Sequence, residues 1–462
     1  MSLQRSEYTP RREDLRGLLR LASPIVLIQV GLVSMGVVDT IMVGHVSAAA
    51  LAAVALGNLY AFGLSIFGLG VLLALDPIVA QALGARDEVA VQHGLQRGLL
   101  LSLLLTVPTS LLHLAVTPIL TLAQQPAEVI PYAAGYVYRV IPSVWPFFAF
   151  IVLRQTLQAH HRTRPIVITI LIANLANAFL NYAWIFGHFG FPELGVLGSA
   201  WATMVGRWFM VGLLLALGWK HLSPYLRELA PRVLHLRPLG RMLRVGAPIG
   251  TQMLFEWGAF GAIGLLMGSL GVIQMAAHQV ALNLASLTFM VPLGVSSAAA
   301  VIVGHAVGRE DVAGVRRSSL AALLVGAGFM SLTAVLFIAI PELLAGIYTT
   351  NADVIRLAVL LLPIAGVFQV FDGTQVVCLG VLRGLGDTRV PMILSTLVFW
   401  GLGIPVSLAL AFGLDLGAPG LWWGLVAGLA IVSIVLVLRL WRREHQSLDR
   451  IRIDDYVEPH TM

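Results

Sequence analysis

The sequence predicts an all-α polytopic membrane protein, with twelve transmembrane helices arranged as two parallel-repeat six-helix lobes. Three observations predict it: the composition, twelve apolar stretches of spanning length, and an internal repeat. Of 462 residues, 58% are hydrophobic and 11% charged, against about 25% charged in an average soluble domain. A transmembrane helix needs roughly 20 apolar residues to cross a hydrocarbon core of about 30 Å.

The twelve stretches run in order over about Leu18 to Val43, Ala48 to Ala74, Gly94 to Leu122, Ile130 to Leu153, Pro165 to Gly187 and Gly195 to Trp219. The second set runs over Leu243 to Leu270, Met275 to Val303, Ser318 to Leu344, Ile355 to Leu382, Val390 to Phe412 and Pro419 to Leu440. Met1 to Gly17 is arginine-rich and lacks a short apolar core before a small-residue cleavage site, so it does not read as a removable signal peptide.

Basic residues alternate with the crossings. Arg5, Arg11, Arg12, Arg16 and Arg20 precede segment 1, Arg86 and Arg97 fall between segments 2 and 3, and Arg154, Arg162 and Arg164 between 4 and 5. Lys220 and five arginines from Arg227 to Arg244 lie between 6 and 7, Arg309, Arg316 and Arg317 between 8 and 9, Arg383 and Arg389 between 10 and 11, and Arg439 to Arg452 close the chain. The intervening loops are essentially bare of Lys and Arg. Positive loops mark the cytoplasmic side, so both termini are expected there. A nucleic-acid surface does not predict this alternation, so the net charge of +6 is read as topology. The single cysteine, Cys378, cannot form an intrachain disulfide. No phosphate-binding loop precedes Lys220, the only lysine, so an ATP-driven pump of that type is excluded for this chain alone.

The chain repeats itself. Leu19-Arg20-Leu21-Ala22-Ser23-Pro24-Ile25 opens segment 1 and Leu243-Arg244-Val245-Gly246-Ala247-Pro248-Ile249 opens segment 7. Val79-Ala80-Gln81-Ala82-Leu83-Gly84 is echoed by Val303-Gly304-His305-Ala306-Val307-Gly308, and Thr163-Arg164-Pro165 by Thr388-Arg389-Val390-Pro391. Six crossings per copy put both copies in the membrane in the same direction. Such repeats place transporter sites near the interface of the halves, with alternating access by rocking. Residues 1–230 form the expected first lobe and 231–462 the second, with His221 to Gly240 as linker and a polar, mobile cytoplasmic tail from about residue 442. Pro24 and Pro248 are candidate bends.

Three carboxylates interrupt the apolar runs: Asp39, Glu256 and Asp372. A carboxylate in hydrocarbon costs several kcal/mol, roughly 2.5 or more, and is functional by default. Glu256 lies roughly 18 Å above Arg244 and Asp372 roughly 16 Å above Arg383, counted at about 1.5 Å per residue. At matched depth near the midplane they can share a site that favours a bound proton or cation. Asp39 lies roughly 28 Å above Arg20 and Asn181 roughly 26 Å above Arg164. Asn174, Asn177 and Asn181 form a polar stripe on segment 5, so Asp39, Asn177 and Asn181 make a second candidate site.

At these residues the chain resembles the multidrug and toxic compound extrusion family, most closely its NorM-type bacterial branch. The matching stretches are Ser34-Met35-Gly36-Val37-Val38-Asp39-Thr40, Phe255-Glu256-Trp257-Gly258, Ala277-His278-Gln279-Val280-Ala281-Leu282-Asn283 and Leu382-Arg383-Gly384-Leu385-Gly386-Asp387-Thr388-Arg389. The resemblance spans essentially the whole chain. It implies a V-shaped fold in the bacterial cytoplasmic (inner) membrane, and export of cationic, partly aromatic drugs and dyes against inward H+ or Na+, with no other cofactor. It carries over ion-site roles to Glu256 and Asp372, which would ligate Na+ in a sodium-coupled protein, and to Asp39, Asn177, Asn181 and Thr203. Two departures bear on the ion. Phe368 stands where some sodium-coupled relatives have a tyrosine, and Asn181 where archaeal members often have an aspartate.

A structural ion pair, with Arg139 or Arg207, is the competing reading for the acids, and helix-to-helix hydrogen bonding the competing reading for Asn177, Asn181 and Thr203. Arg207 falls near the midplane and must be paired or hydrated, and a structural role is favoured for it. Asp76, followed by Pro77, reads as interfacial. His278 could carry a proton or be a satisfied core histidine. Gln279 and Asn283, four apart, read as cavity-lining substrate contacts, and Phe255, Trp257, Phe260, Phe289, Met290 and Phe368 could add a greasy wall that attracts an organic cation or simply pack. A flippase for a lipid-linked precursor would line its cavity with basic residues, whereas acids are found here. An intramembrane enzyme would need an aspartate-rich metal motif, a His-Glu-x-x-His pair or an activated serine, and none is present. A passive channel would export without an ion gradient. One chain with two halves can work as a monomer.

Overall fold

The computed structural model describes residues 9–454; Arg5 lies outside them. Among the described residues twelve helices are long and apolar enough to span a bilayer. They are α1 (Arg12–Gly44), α2 (Ala49–Gly84), α3 (Glu88–Leu114), α4 (Ile130–Ala159), α5 (Arg164–Phe186), α6 (Val196–Leu226), α7 (Leu236–Leu270), α8 (Val272–Gly308), α9 (Val312–Ala339), α10 (Ala352–Gly384), α11 (Arg389–Gly413) and α12 (Gly417–Arg443).

The repeat extends to the turns. Asp87 accepts a hydrogen bond from the Ala90 amide at 2.9 Å to cap α3, and its repeat mate Asp311 accepts from the Gly314 amide at 2.7 Å to cap α9. Each cap satisfies an amide that the first helical turn leaves without an intrahelical partner. The residue before each cap, Arg86 or Glu310, is left-handed, with φ of 59° and 58°. The turn after α4 is left-handed at His161 (φ 56°), and the turn after α10 at Gly386 (φ 81°). One copy thus uses glycine where the other accepts a strained side chain.

Three helices are interrupted. In α2, Pro77 has no N–H to offer, and the amide of Asp76 turns to the Leu73 carbonyl at 3.1 Å instead. The helix breaks at residues 73–74 and resumes to Gly84. The span thus runs past the expected end at Ala74, and Asp76 lies in the first turn of the resumed helix, fully buried against the protein. In α4 a 3-10 turn, Ile141–Ser143, separates two α-helical parts. In α11 two π-helical stretches, Phe399–Gly403 and Ala409–Gly413, widen the helix.

By packing, the chain forms two compact units that differ from the two repeat copies. The first joins Leu27–Gly250 with the described residues after Ile451, and the second joins the described residues up to Val26 with Thr251–Ile451. The changes of unit fall two residues after Pro24 and two after Pro248.

The first unit has a core of Val43, Ala53, Val54, Ala133, Tyr136, Val137, Val196 and Ala200. The second is built around α10, which packs on α8, α9 and α12. Close approach is permitted by glycines a heptad apart: a Cβ at Gly366 would press on Ala334, at Gly373 on Met330, and at Gly380 on the Ser296 carbonyl. Small residues bring membrane helices together where no hydrophobic drive between helices exists.

The tail expected to be free is not so in its described part. Asp454 meets Arg97 at 2.7 Å and His93 at 2.8 Å, Arg241 donates to the Ile453 carbonyl at 2.9 Å, and Ile453 is buried. Two buried cationic or imidazole groups on α3 attract the Asp454 carboxylate of the tail, which its polar composition alone does not reveal.

Candidate functional site

In the first unit, α1, α5 and α6 converge on Asp39. The Asn181 amide nitrogen donates to Asp39 Oδ1 at 2.5 Å and to Asn177 Oδ1 at 3.1 Å, and Thr203 Oγ1 donates to Asp39 Oδ2 at 3.3 Å. Asp39, Asn177, Asn181 and Thr203 are all buried. The four residues expected at this site are therefore together, and the depth match between Asp39 and Asn181 is a hydrogen bond. Asn181 Oδ1 has no hydrogen-bond partner, which leaves a buried oxygen beside the carboxylate that a cation could use. Asn174, the third member of the stripe, instead donates to the Gly31 carbonyl at 3.0 Å and fastens α5 to α1.

Two further side chains lie near Asp39, Tyr136 and Arg207. Tyr136, fully buried on α4, has Asp39, Thr203 and Arg207 as neighbours and donates from its hydroxyl to Asn58 Oδ1 at 2.8 Å. A tyrosine in an apolar helix gives no periodic signal that could have found it. Arg207 is the charged neighbour of Asp39, whereas Arg139 bonds back to the Gly135 carbonyl of its own helix at 3.0 Å.

In the second unit Glu256 on α7 is the charged neighbour of Asp372 on α10. Gln375, one turn from Asp372, donates to Glu256 Oε1 at 3.1 Å. Gln375 Oε1 is buried without a hydrogen-bond partner. Higher on the same face of α10, Gln369 accepts from Thr288 and from Thr333. Gln369, Asp372 and Gln375 thus form an i, i+3, i+6 stripe, which the sequence carries but the expectation passed over. No three His, Cys, Asp or Glu side chains converge among the described residues. A cation at either site would be held by one or two carboxylates with amide and hydroxyl oxygens, a hard-oxygen set that suits Na+ or a proton.

The expected substrate residues divide. Gln279 and Asn283 are exposed on one face of α8. Phe255 is exposed, its ring meets Trp400 edge-on at 6.2 Å, and its carbonyl accepts from Trp400 Nε1 at 3.1 Å. Trp257, Phe260, Phe289 and Met290 are partly buried. Phe368 is core: it packs between Phe260 at 6.0 Å and Trp422 at 5.5 Å and is 2% exposed. Its position on the inner side of α10, among rings, takes it out of the exposed set. His278 is buried edge-on to Trp422 at 5.6 Å.

Twelve helices of spanning length, with no strand among the described residues and with carboxylates bonded to side-chain amides inside them, fit a polytopic membrane transporter. The MatE family profile matches residues 24–183 and again 248–409, two copies that begin at Pro24 and Pro248. The chain belongs to the MatE family. It is 38% identical over 382 residues to "Probable multidrug resistance protein NorM" of Rhizobium meliloti, covering 81% of each chain. It is 36% identical to "Multidrug resistance protein NorM" of Burkholderia vietnamiensis, covering 91% of this chain and 92% of that one. Among solved structures, the eukaryotic MATE transporter AtDTX14 superposes with a TM-score of 0.85 at 22% identity, covering 94% of this chain and 98% of that one. The Vibrio cholerae MATE transporter VcmN in its bent form gives 0.81 at 19%, covering 94% and 97%.

Proposed function

We propose that this protein is a secondary active multidrug efflux antiporter that exports cationic, aromatic drugs and dyes in exchange for inward H+ or Na+. The observation that carries it is the Glu256–Asp372 pair, two carboxylates on spanning helices near enough to act on each other electrostatically, with an amide donor on Glu256. Two such charges repel, so the site gains from a proton, a sodium ion or an organic cation. The names of the relatives, multidrug resistance protein NorM, support the drug side of the reading.

Exchange follows from competition. A cation that enters from outside neutralises Glu256 and Asp372, or Asp39 with its asparagines, and weakens the hold on a cationic drug. Linkage requires the drug to weaken ion binding equally. Gln279 and Asn283 with Phe255, Trp257, Phe260, Phe289 and Met290 are the drug contacts in this reading. The membrane is the bacterial inner membrane with both termini cytoplasmic, and a single chain is the working unit. The flippase alternative is disfavoured, because carboxylates would repel a phosphate where basic residues are expected to hold it. The test is ethidium efflux from proteoliposomes under an imposed sodium gradient and then an imposed pH gradient. Efflux driven by either is expected, and Glu256→Ala or Asp372→Ala should abolish it with the protein still in the membrane. Efflux indifferent to both gradients would overturn the reading.

A further inference from the structure

The first unit holds an arginine that the exchange scheme above does not use. Thr203, on α6, donates to Asp39 at 3.3 Å. Arg207 follows four residues later, on the same face of α6 one turn away. Its charged and polar neighbours are Asp39, Tyr136 and His113, from α1, α4 and α3. Yet among the described residues it forms no ion pair with Asp39. Its guanidinium instead lies 4.8 Å from the centre of the Phe147 ring, and Nη1 donates to Ser143 Oγ at 3.1 Å.

That second seat is built. Ser143 is fully buried in the 3-10 turn that interrupts α4, and Phe147 follows one turn later. A planar guanidinium can lie on an aromatic face while a hydroxyl takes one of its donors. The Ser143–Phe147 seat is the one the structure shows for Arg207, and the Asp39 carboxylate, bonded to Thr203 one turn away on α6, is the second group whose charge acts on it.

We propose that Arg207 is a tethered counter-cation of the Asp39 site, which neutralises Asp39 until a coupling cation arrives and is then displaced onto Phe147 and Ser143. This rests on the antiport reading and deepens it. Without a coupling ion Asp39 and Arg207 sum to zero. With one bound they carry a net positive charge, which disfavours a cationic drug nearby. Among the described residues no second carboxylate acts on Asp39, and the arginine converts ion arrival into repulsion there. Arg207 is a positioning residue that competes with the ion.

The experiment measures the concentration of H+, and separately of Na+, that gives half-maximal ethidium efflux in proteoliposomes of the full-length protein. Removing a competing cation should lower that concentration in Arg207→Met by roughly 5- to 150-fold, the usual span of a coupling between sites. Arg207→Lys keeps the charge but loses the planar contact with Phe147, so it should stay on Asp39 and raise the concentration. In an Asp39→Asn background the Arg207→Met shift should vanish, as a double-mutant cycle requires of two groups that act on each other. The proposal is overturned by a half-maximal concentration unchanged in both arginine variants, or by a shift that persists without Asp39. The lysine variant carries the test if the methionine variant fails to reach the membrane. A wild type that ignores both gradients would remove the antiport reading itself, an outcome distinct from unchanged variants in a coupled wild type.

Discussion

The amide of Asn181 donates to the carboxylate of Asp39 at 2.5 Å, joining two buried side chains 142 positions apart. A hydrogen bond to a charged group contributes about 1.5–3 kcal/mol. Asn181→Leu should therefore weaken the hold of the first-unit site on its cation roughly ten- to hundredfold, read as the ion concentration for half-maximal dye efflux. An unchanged value would mean that Asn181 only glues α5 to α1.

Gln375 is the amide partner of Glu256 at 3.1 Å. Gln375→Met keeps the volume and removes the donor, leaving a partly buried carboxylate oxygen without its partner at a cost of about 1–3 kcal/mol. Ethidium efflux at a fixed gradient should fall on the order of tenfold, with the amount of protein in the membrane unchanged. Full efflux from this variant would show that Glu256 does not need the bond.

Gly380 allows α10 to approach the Ser296 carbonyl of α8. A methyl group there overlaps backbone, which cannot swing aside as a flexible side chain would. Gly380→Ala should cost about 1–3 kcal/mol, measured as a lower Tm of the detergent-purified protein. The same change at Gly328, around which a Cβ meets nothing within 4 Å, should leave Tm unmoved.

The tail clasp should open in acid. Burial raises the Asp454 carboxyl, but hydrogen bonds from Arg97 and His93 and their charges outweigh it and hold the group below its ordinary value. A depressed carboxylate stabilises the docked tail above the unfolded pKa of about 3.9 and loses that contribution as pH falls through the folded value. Limited proteolysis should leave the tail protected at neutral pH and cut it progressively faster below about pH 4. Asp454→Asn should be cut readily at neutral pH. Equal protection of wild type and variant would show that the carboxylate does not hold the tail.

Much of the fold was legible because lipid imposes a local rule: every crossing needs a contiguous apolar run, and runs can be counted. The interruptions were harder. Pro77 announced a break in α2, but the resumption to Gly84 and the burial of Asp76 depend on what packs around the second piece. At the sites, depth counting along single helices paired Asp39 with Asn181 and Glu256 with Asp372, because rise per residue is fixed. It could not tell that Asn174 turns to the Gly31 carbonyl while Asn181 turns to Asp39. It could not place Phe368, whose ring lies among Phe260 and Trp422, or find Tyr136 and Gln375.

The sequence by itself determined twelve spanning helices, two copies in one orientation, and three acids retained where hydrocarbon penalises them. It also showed that the acids have no acidic repeat mates, since Leu32, Phe147 and Ile263 stand at those positions. Tertiary structure decided what each acid meets: Asn181, Thr203 and Arg207 around Asp39, and Gln375 beside Glu256. It also gave Phe147, the repeat mate of Asp372, a role under the Arg207 guanidinium. The division has a physical cause. The cost of burial is summed along a segment and is written in its composition. A hydrogen bond needs a partner at about 3 Å in the right direction, and that is set by which faces of distant helices pack together.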